Sequence, residues 1–118
     1  MPIERLHPGP RMSQAVIHDK TVYLAGQVAS GAPGKSVTEQ TRDILKSIDA
    51  LLLEAKTDKS RLLSATIWLT DMSTFQEMNA VWDAWVAPGS TPARATVVSP
   101  QLAAPEFAIE IAVIAARS

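Results

Sequence analysis

Apolar and polar positions along the chain alternate in short runs, broken by two stretches of helical periodicity, and this rhythm predicts the elements. "SQAVIHDKTVYLAG" (13–26) reads as two short strands joined at Asp19-Lys20, with Gly26 ending the second. "QVASGAPGKS" (27–36), rich in Gly, Ser, Ala and Pro, reads as a loop. Behind it, Val37, Ile44, Leu45, Ile48, Leu51, Leu52 and Ala55 recur at helical spacing, which predicts one amphipathic helix over 37–56. Ser36-Val37-Thr38-Glu39 has the form of its capping box. "LLSATIWLT" (62–70) is apolar or β-branched at nearly every position, as in a strand covered on both faces. Ser73-x-x-Gln76 is a second box; Phe75, Met78, Trp82, Trp85 and Val86 then recur at helical spacing to Ala87, where Pro88-Gly89 stops the helix. "ARATVV" and "EFAIEIAVIAA" (106–116) are the last two strands, split by the loop "SPQLAAP".

The order is ββαβαββ, an α+β layout with two helices on one face of a sheet. No repeat or linker divides it, so a single domain over residues 1–118 is expected. The strands are apolar on both alternating faces, yet two helices cover only one. The other face needs a partner, and in a chain this short a second copy of the chain is the expected one. A homo-oligomer follows.

Composition narrows the function classes. With 47% hydrophobic and 19% charged residues, the chain has the balance of a soluble globular protein. Net charge is −1 and the 11 Lys and Arg are scattered, which argues against nucleic-acid binding by a clustered positive surface. The absence of Cys excludes disulfides, thiolate catalysis and Cys-bound zinc. "MPIERLHPGPRMSQ" lacks the apolar core of a signal peptide, and no apolar run approaches the roughly 20 residues of a membrane span. No membrane partner is expected, and a cytoplasmic location is the default.

Few residues offer chemistry. His7, in a Pro-rich leader, and His18, beside a turn, read as solvated surface residues, and neither stands at a metal-ligand spacing. Ser13 has no G-x-S-x-G elbow, and the glycines follow no Walker or dinucleotide pattern. Trp82 and Trp85, on one helix face with Phe75 and Met78, read as core rather than as a stacking platform. Arg94 and Glu110 resist such readings. Arg94 is the only charge in "STPARATVVS", which otherwise reads as a buried strand. Glu110 interrupts "FAIEIAVIAA", on the face shared by Ala108, Ala112 and Ile114, opposite Phe107, Ile109, Ile111 and Val113. A carboxylate there is costly to bury unless paired, hydrogen-bonded or protonated. Three readings stand: sheet-edge positions in water, an Arg94–Glu110 ion pair between neighbouring strands, or a site awaiting an anion.

"P-A-R-A-T-V", Leu102 and "I-E-I" together resemble the C-terminal signature of the RidA/YjgF family, the reactive intermediate or imine deaminases. "SQAV", "YLAGQVA", "EQTRDILKSIDALL" and "ATIWLTDMSTFQEMNAVWDAWV" resemble its earlier segments in the same order, so the likeness spans residues 8–116. "AVWDAWV" and the short loop after "GQVAS" are similar to the YoaB-like branch.

The resemblance implies a chorismate-mutase-like fold assembled as a homotrimeric barrel, with a ligand cleft at each subunit interface. It implies that Arg94 grips a substrate carboxylate and that Glu110 orients or activates the attacking water. Asn79 matches a cleft residue. Gly26 matches a position where backbone approaches the ligand, and Thr96 stands where relatives often carry Cys, its N–H facing the ligand carboxylate. The implied reaction hydrolyses a 2-imino acid, formed by tautomerisation of an enamine such as 2-aminoacrylate, to a 2-keto acid and ammonia. No cofactor or metal is called for. One residue departs from the pattern: Met12 stands where many deaminases have a cleft Tyr, so that hydroxyl is absent. This keeps a rival open, a non-catalytic trimeric binder of small carboxylate metabolites or a regulator of a partner.

Overall fold

The computed structural model describes residues 2–118. In chain order the elements are β1 (Ile3–Leu6), β2 (Ala15–His18), β3 (Thr21–Leu24), β4 (Gln27–Val28), α1 (Val37–Glu54), β5 (Leu62–Leu69), α2 (Phe75–Trp85), β6 (Ala93–Val98) and β7 (Ile109–Ala116). All seven strands form one sheet in the order β1-β2-β3-β7-β5-β6, with β4 also paired to β7. β5 and β6 run parallel, joined through α2, and the other pairs are antiparallel. Both helices lie on one face, as the periodicity predicts. Among the described residues no helix is long and apolar enough to cross a membrane.

Local chemistry explains most boundaries. Ser36 Oγ accepts from the Glu39 N–H at 3.1 Å, so the first capping box opens α1. The second box does not form. Asp71 accepts from the Ser73 N–H at 2.9 Å and caps a single 3-10 turn over Met72–Thr74, from which α2 continues. A carboxylate one position before the turn is the stronger acceptor, and it leaves Ser73 no capping role.

The β2–β3 hairpin turns at Asp19, whose φ of 55° is a conformation Asp tolerates better than most residues. Two strands escape the sequence pattern. β1 lies in the polar leader and buries neither face, and β4 has two residues, too few to display a period.

Alternation on β7 sends Ile109, Ile111, Val113 and Ala115 beneath the helices, where all are buried. They meet Ala65, Ile67 and Leu69 of β5 and Ile44, Leu45, Ile48 and Leu52 of α1 in one core. The opposite face carries Val16, Tyr23, Trp68, Ala112 and Ile114, with no layer over it. Tyr23 is 46% exposed and Val97 43%. β5 and β6 are therefore not covered on both faces within one chain, although their sequences read so. Among the described residues β6 is the outermost strand and pairs with β5 alone.

Candidate functional site

Sheet register assigns each candidate to a face. Arg94 pairs with Ala65 and Thr96 with Ile67, which in turn oppose Val113 and Ile111. Registered partners share a face, so Arg94 and Thr96 lie on the helix side of the sheet, at its β6 edge. There α2 lays two aromatic rings against the guanidinium. Arg94 Cζ is 5.3 Å from the centre of the Trp82 ring and 5.9 Å from that of Phe75.

Asn79 stands four residues after Phe75 and three before Trp82, on the same stripe of α2. Its Oδ1 and the Thr96 Oγ1 are buried and have no hydrogen-bond partner among the described residues. Buried polar atoms are nearly always paired, so two orphaned oxygens on the strand face and helix stripe that carry Arg94 and its aromatic neighbours are unusual. Arg94 forms no ion pair among the described residues.

Glu110 lies elsewhere. It pairs in register with Trp68 and Val28, on the face without helices, and β5 runs between its strand and that of Arg94. The expected alternative of an Arg94–Glu110 ion pair between neighbouring strands is thereby overturned: the strands are not adjacent and the side chains leave opposite faces. The carboxyl instead rests on Gly26. A Cβ built there would overlap Glu110 Oε2 and come within 2.9 Å of its Cδ. Within the chain, the missing side chain of Gly26 makes room for the carboxyl of Glu110. Burial disfavours the carboxylate and pushes the Glu110 pKa upward.

The six candidates thus fall into three places. Arg94, Thr96 and Asn79 cluster on the helix side at the β6 edge, Gly26 and Glu110 meet on the open face, and Met12 stands in the β1–β2 connection. Met12 is 50% exposed, at the opposite margin of the sheet from β6. A separate cavity of about 500 Å³ beside the loop before β7, bordered by Thr70, Leu102, Phe107 and Ala108, includes none of them. His7 pairs with Glu54 at 2.8 Å on the surface, and His18 is exposed.

Gln40 is a supporting residue that the sequence reading missed. It is buried on α1, donates from Nε2 to Lys35 O (2.9 Å) and Glu106 O (3.0 Å), and accepts at Oε1 from the Ala108 N–H (2.9 Å). These bonds fix the chain two residues before Glu110 and hold 106–108 as loop, so β7 starts at Ile109 rather than at 106. The available signal was an amide on the apolar stripe between Val37 and Ile44. Trp82 and Phe75 belong to the core as their spacing predicts, but their contact with Arg94 needs the register of β6, which no local pattern carries.

Residues 3–117 match the family described as Endoribonuclease L-PSP. A RutC family protein YoaB from Escherichia coli is 40% identical over 116 residues, covering 98% of this chain and 99% of its own length. A crystal structure of a YjgF family member from Neisseria meningitidis superposes with a TM-score of 0.95 at 44% identity, covering 100% of this chain and 97% of its own. The fold is accordingly the chorismate-mutase-like one of that family. A mouse protein named 2-iminobutanoate/2-iminopropanoate deaminase is 37% identical over 89 residues, covering 70% of this chain and 64% of its own.

Proposed function

Because the chain belongs to the RidA/YjgF family, in its YoaB-like branch, we propose that it hydrolyses reactive 2-imino acids to 2-keto acids and ammonia. The observation that carries this reading is the unpaired Arg94 guanidinium beside the two orphaned oxygens of Thr96 and Asn79. A guanidinium binds a carboxylate through two parallel N–H···O bonds, and a shielded cleft strengthens them. The mouse relative's name adds the reaction class.

The site is completed by a second copy of the chain. Arg94 and Glu110 leave opposite faces of one sheet, so a small substrate touching both must take them from two subunits. We assign Arg94, Thr96 and Asn79 to one wall of the cleft and Glu110 with Gly26 to the neighbour's wall. The uncovered face with Tyr23, Trp68 and Ile114 supports an assembly, and the resemblance makes it a homotrimer. In this cleft Arg94 holds the substrate carboxylate and Glu110 places a water against the imine carbon. Water adds to the C=N carbon, the carbinolamine collapses, and ammonia departs as C=O forms. Such imines already hydrolyse in water, so positioning accounts for most of the work asked of the protein.

Met12 favours a second reading, a trimer that binds small carboxylate metabolites without turnover, since it stands where the resemblance puts a cleft Tyr and brings no hydroxyl. One assay separates the two. An amino-acid oxidase generates imines in situ, and semicarbazide traps what the protein leaves. Wild type is expected to lower trapping and Arg94→Ala to lose that effect. If wild type fails with every amino acid tried, the enzyme reading is refuted and the binder remains. Sedimentation of wild type at micromolar concentration tests the assembly, and a monomer alone would refute the shared cleft.

A further inference from the structure

We infer that Trp82 is a positioning residue of the anion site, acting through Arg94; this rests on Arg94 being the carboxylate holder proposed above. The guanidinium has no acidic partner among the described residues, and it lies over two aromatic rings, Trp82 at 5.3 Å and Phe75 at 5.9 Å. The ring contact differs in kind from an ion pair. A carboxylate neighbour would fix Arg94 by consuming its N–H donors and cancelling its charge. An indole attracts the cation through its π face and leaves the planar fork of N–H groups uncommitted and fully charged. The ring therefore orients the arginine without competing with the ligand.

Trp82 is itself held firmly. It is 5% exposed and packs against Trp85 with ring centres 5.4 Å apart at 52°. Trp85 is anchored in turn: its Nε1 donates to Asp49 Oδ2 at 2.9 Å, and Lys59 Nζ lies 5.2 Å from its ring centre. A rigid row runs from Asp49 on α1 through Trp85 and Trp82 on α2 to Arg94 on β6. Trp82 thus serves as core and as the platform for an arginine, rather than for a ligand base or ring.

The test measures 2-oxobutanoate binding to the intact oligomer by calorimetry, with thermal melting alongside. Tryptophans are replaced biosynthetically by mono-, di- and trifluorinated analogues, which drain the π face while keeping the ring's shape. Affinity is expected to fall stepwise with fluorine number, to about fivefold overall, with melting unchanged. The trend should vanish in Trp82→Phe, which takes up no analogue at that position. Constant affinity across the series, or a trend that persists in Trp82→Phe, overturns the role of Trp82. Arg94→Met, which keeps the bulk of the side chain and removes its charge and donors, separates the two claims. If it binds 2-oxobutanoate as wild type does, the carboxylate reading of Arg94 is itself refuted. If it binds weakly while fluorination has no effect, only the Trp82 inference falls.

Discussion

Replacing Gly26 by Ala tests whether Glu110 acts where the structure puts it. Gly26 does not occupy a positive φ, so the backbone accepts Ala without strain. The new methyl would overlap Glu110 Oε2 and stand 2.9 Å from Cδ and 3.2 Å from Cγ. Ordinary contact needs about 3.4 Å, so the carboxyl carbon must retreat by about half an ångström and its oxygen by about 1 Å. A glutamate can do this by rotating its side chain, at a cost of about 0.5–1.5 kcal/mol. Removing glycine's freedom from the unfolded chain returns about 0.4–1 kcal/mol. Net stability should therefore change by less than about 1 kcal/mol, with the melting temperature within about 6 °C of wild type. Function should not be spared. Displacing a water-placing group by about 1 Å can cost on the order of 100-fold in turnover. The semicarbazide assay is expected to show that loss in Gly26→Ala, with no further loss when Glu110→Gln is added. Wild-type turnover in Gly26→Ala would refute the role given to the Glu110 carboxyl, and a drop in melting beyond about 10 °C would refute the cheap rotation.

Other consequences follow from the same geometry. Arg94→Ala removes contacts with two rings and no ion pair, so urea unfolding should show a loss of about 0.5–2 kcal/mol; about 3–5 kcal/mol would reveal a buried ionic partner. Burial raises the Glu110 pKa above its unfolded 4.5, so the native state holds that proton more tightly than the unfolded chain. Its stabilising contribution is full below pH 4.5 and is lost as pH rises through the raised value. Glu110→Gln lacks that loss, and its stability relative to wild type should grow as pH rises from about 4.5 through the raised pKa; a flat difference would contradict the burial. Gln40→Leu leaves Lys35 O and the Ala108 N–H without their partner, while Glu106 O keeps the Gly34 N–H at 3.0 Å, and each group left unpaired costs about 1–3 kcal/mol. Hydrogen exchange at Ala108 should accelerate in that variant, and unchanged protection would mean that another group replaces the amide.

What the sequence made legible follows from which interactions are local. Helical spacing and the Ser36 cap are properties of neighbouring residues, and both helices appear close to their expected bounds. The alternation of Ile109, Ile111 and Val113 against Glu110 and Ala112 also survives intact, because β7 is long enough to show its period. Strand order is not local. Arg94 and Glu110 sit on consecutive strands in the sequence, and consecutive strands are commonly neighbours, yet β7 inserts between β3 and β5 and leaves β6 outside. That insertion cancels the ion pair and brings Arg94 to Trp82. Gln40 was hidden for a different reason: an amide on an apolar stripe gains its meaning only from Glu106 and Ala108, far along the chain.

The separation of Arg94 from Glu110 also bears on why the proposed cleft would lie between subunits. Two opposite charges on adjacent strands of one chain would neutralise each other, and a substrate would have to break that pair before binding. On opposite faces neither is neutralised by the other within one chain. Arg94 rests on aromatic faces that leave its donors free, and Glu110 rests on a glycine with no counter-ion among the described residues. A 2-imino acid carries a carboxylate for the guanidinium, and its electrophilic imine carbon lies one bond away, where Glu110 would place the water. A cleft closed by two subunits would then offer Arg94 a carboxylate that its own chain does not supply, and would leave Glu110 free to hold the water.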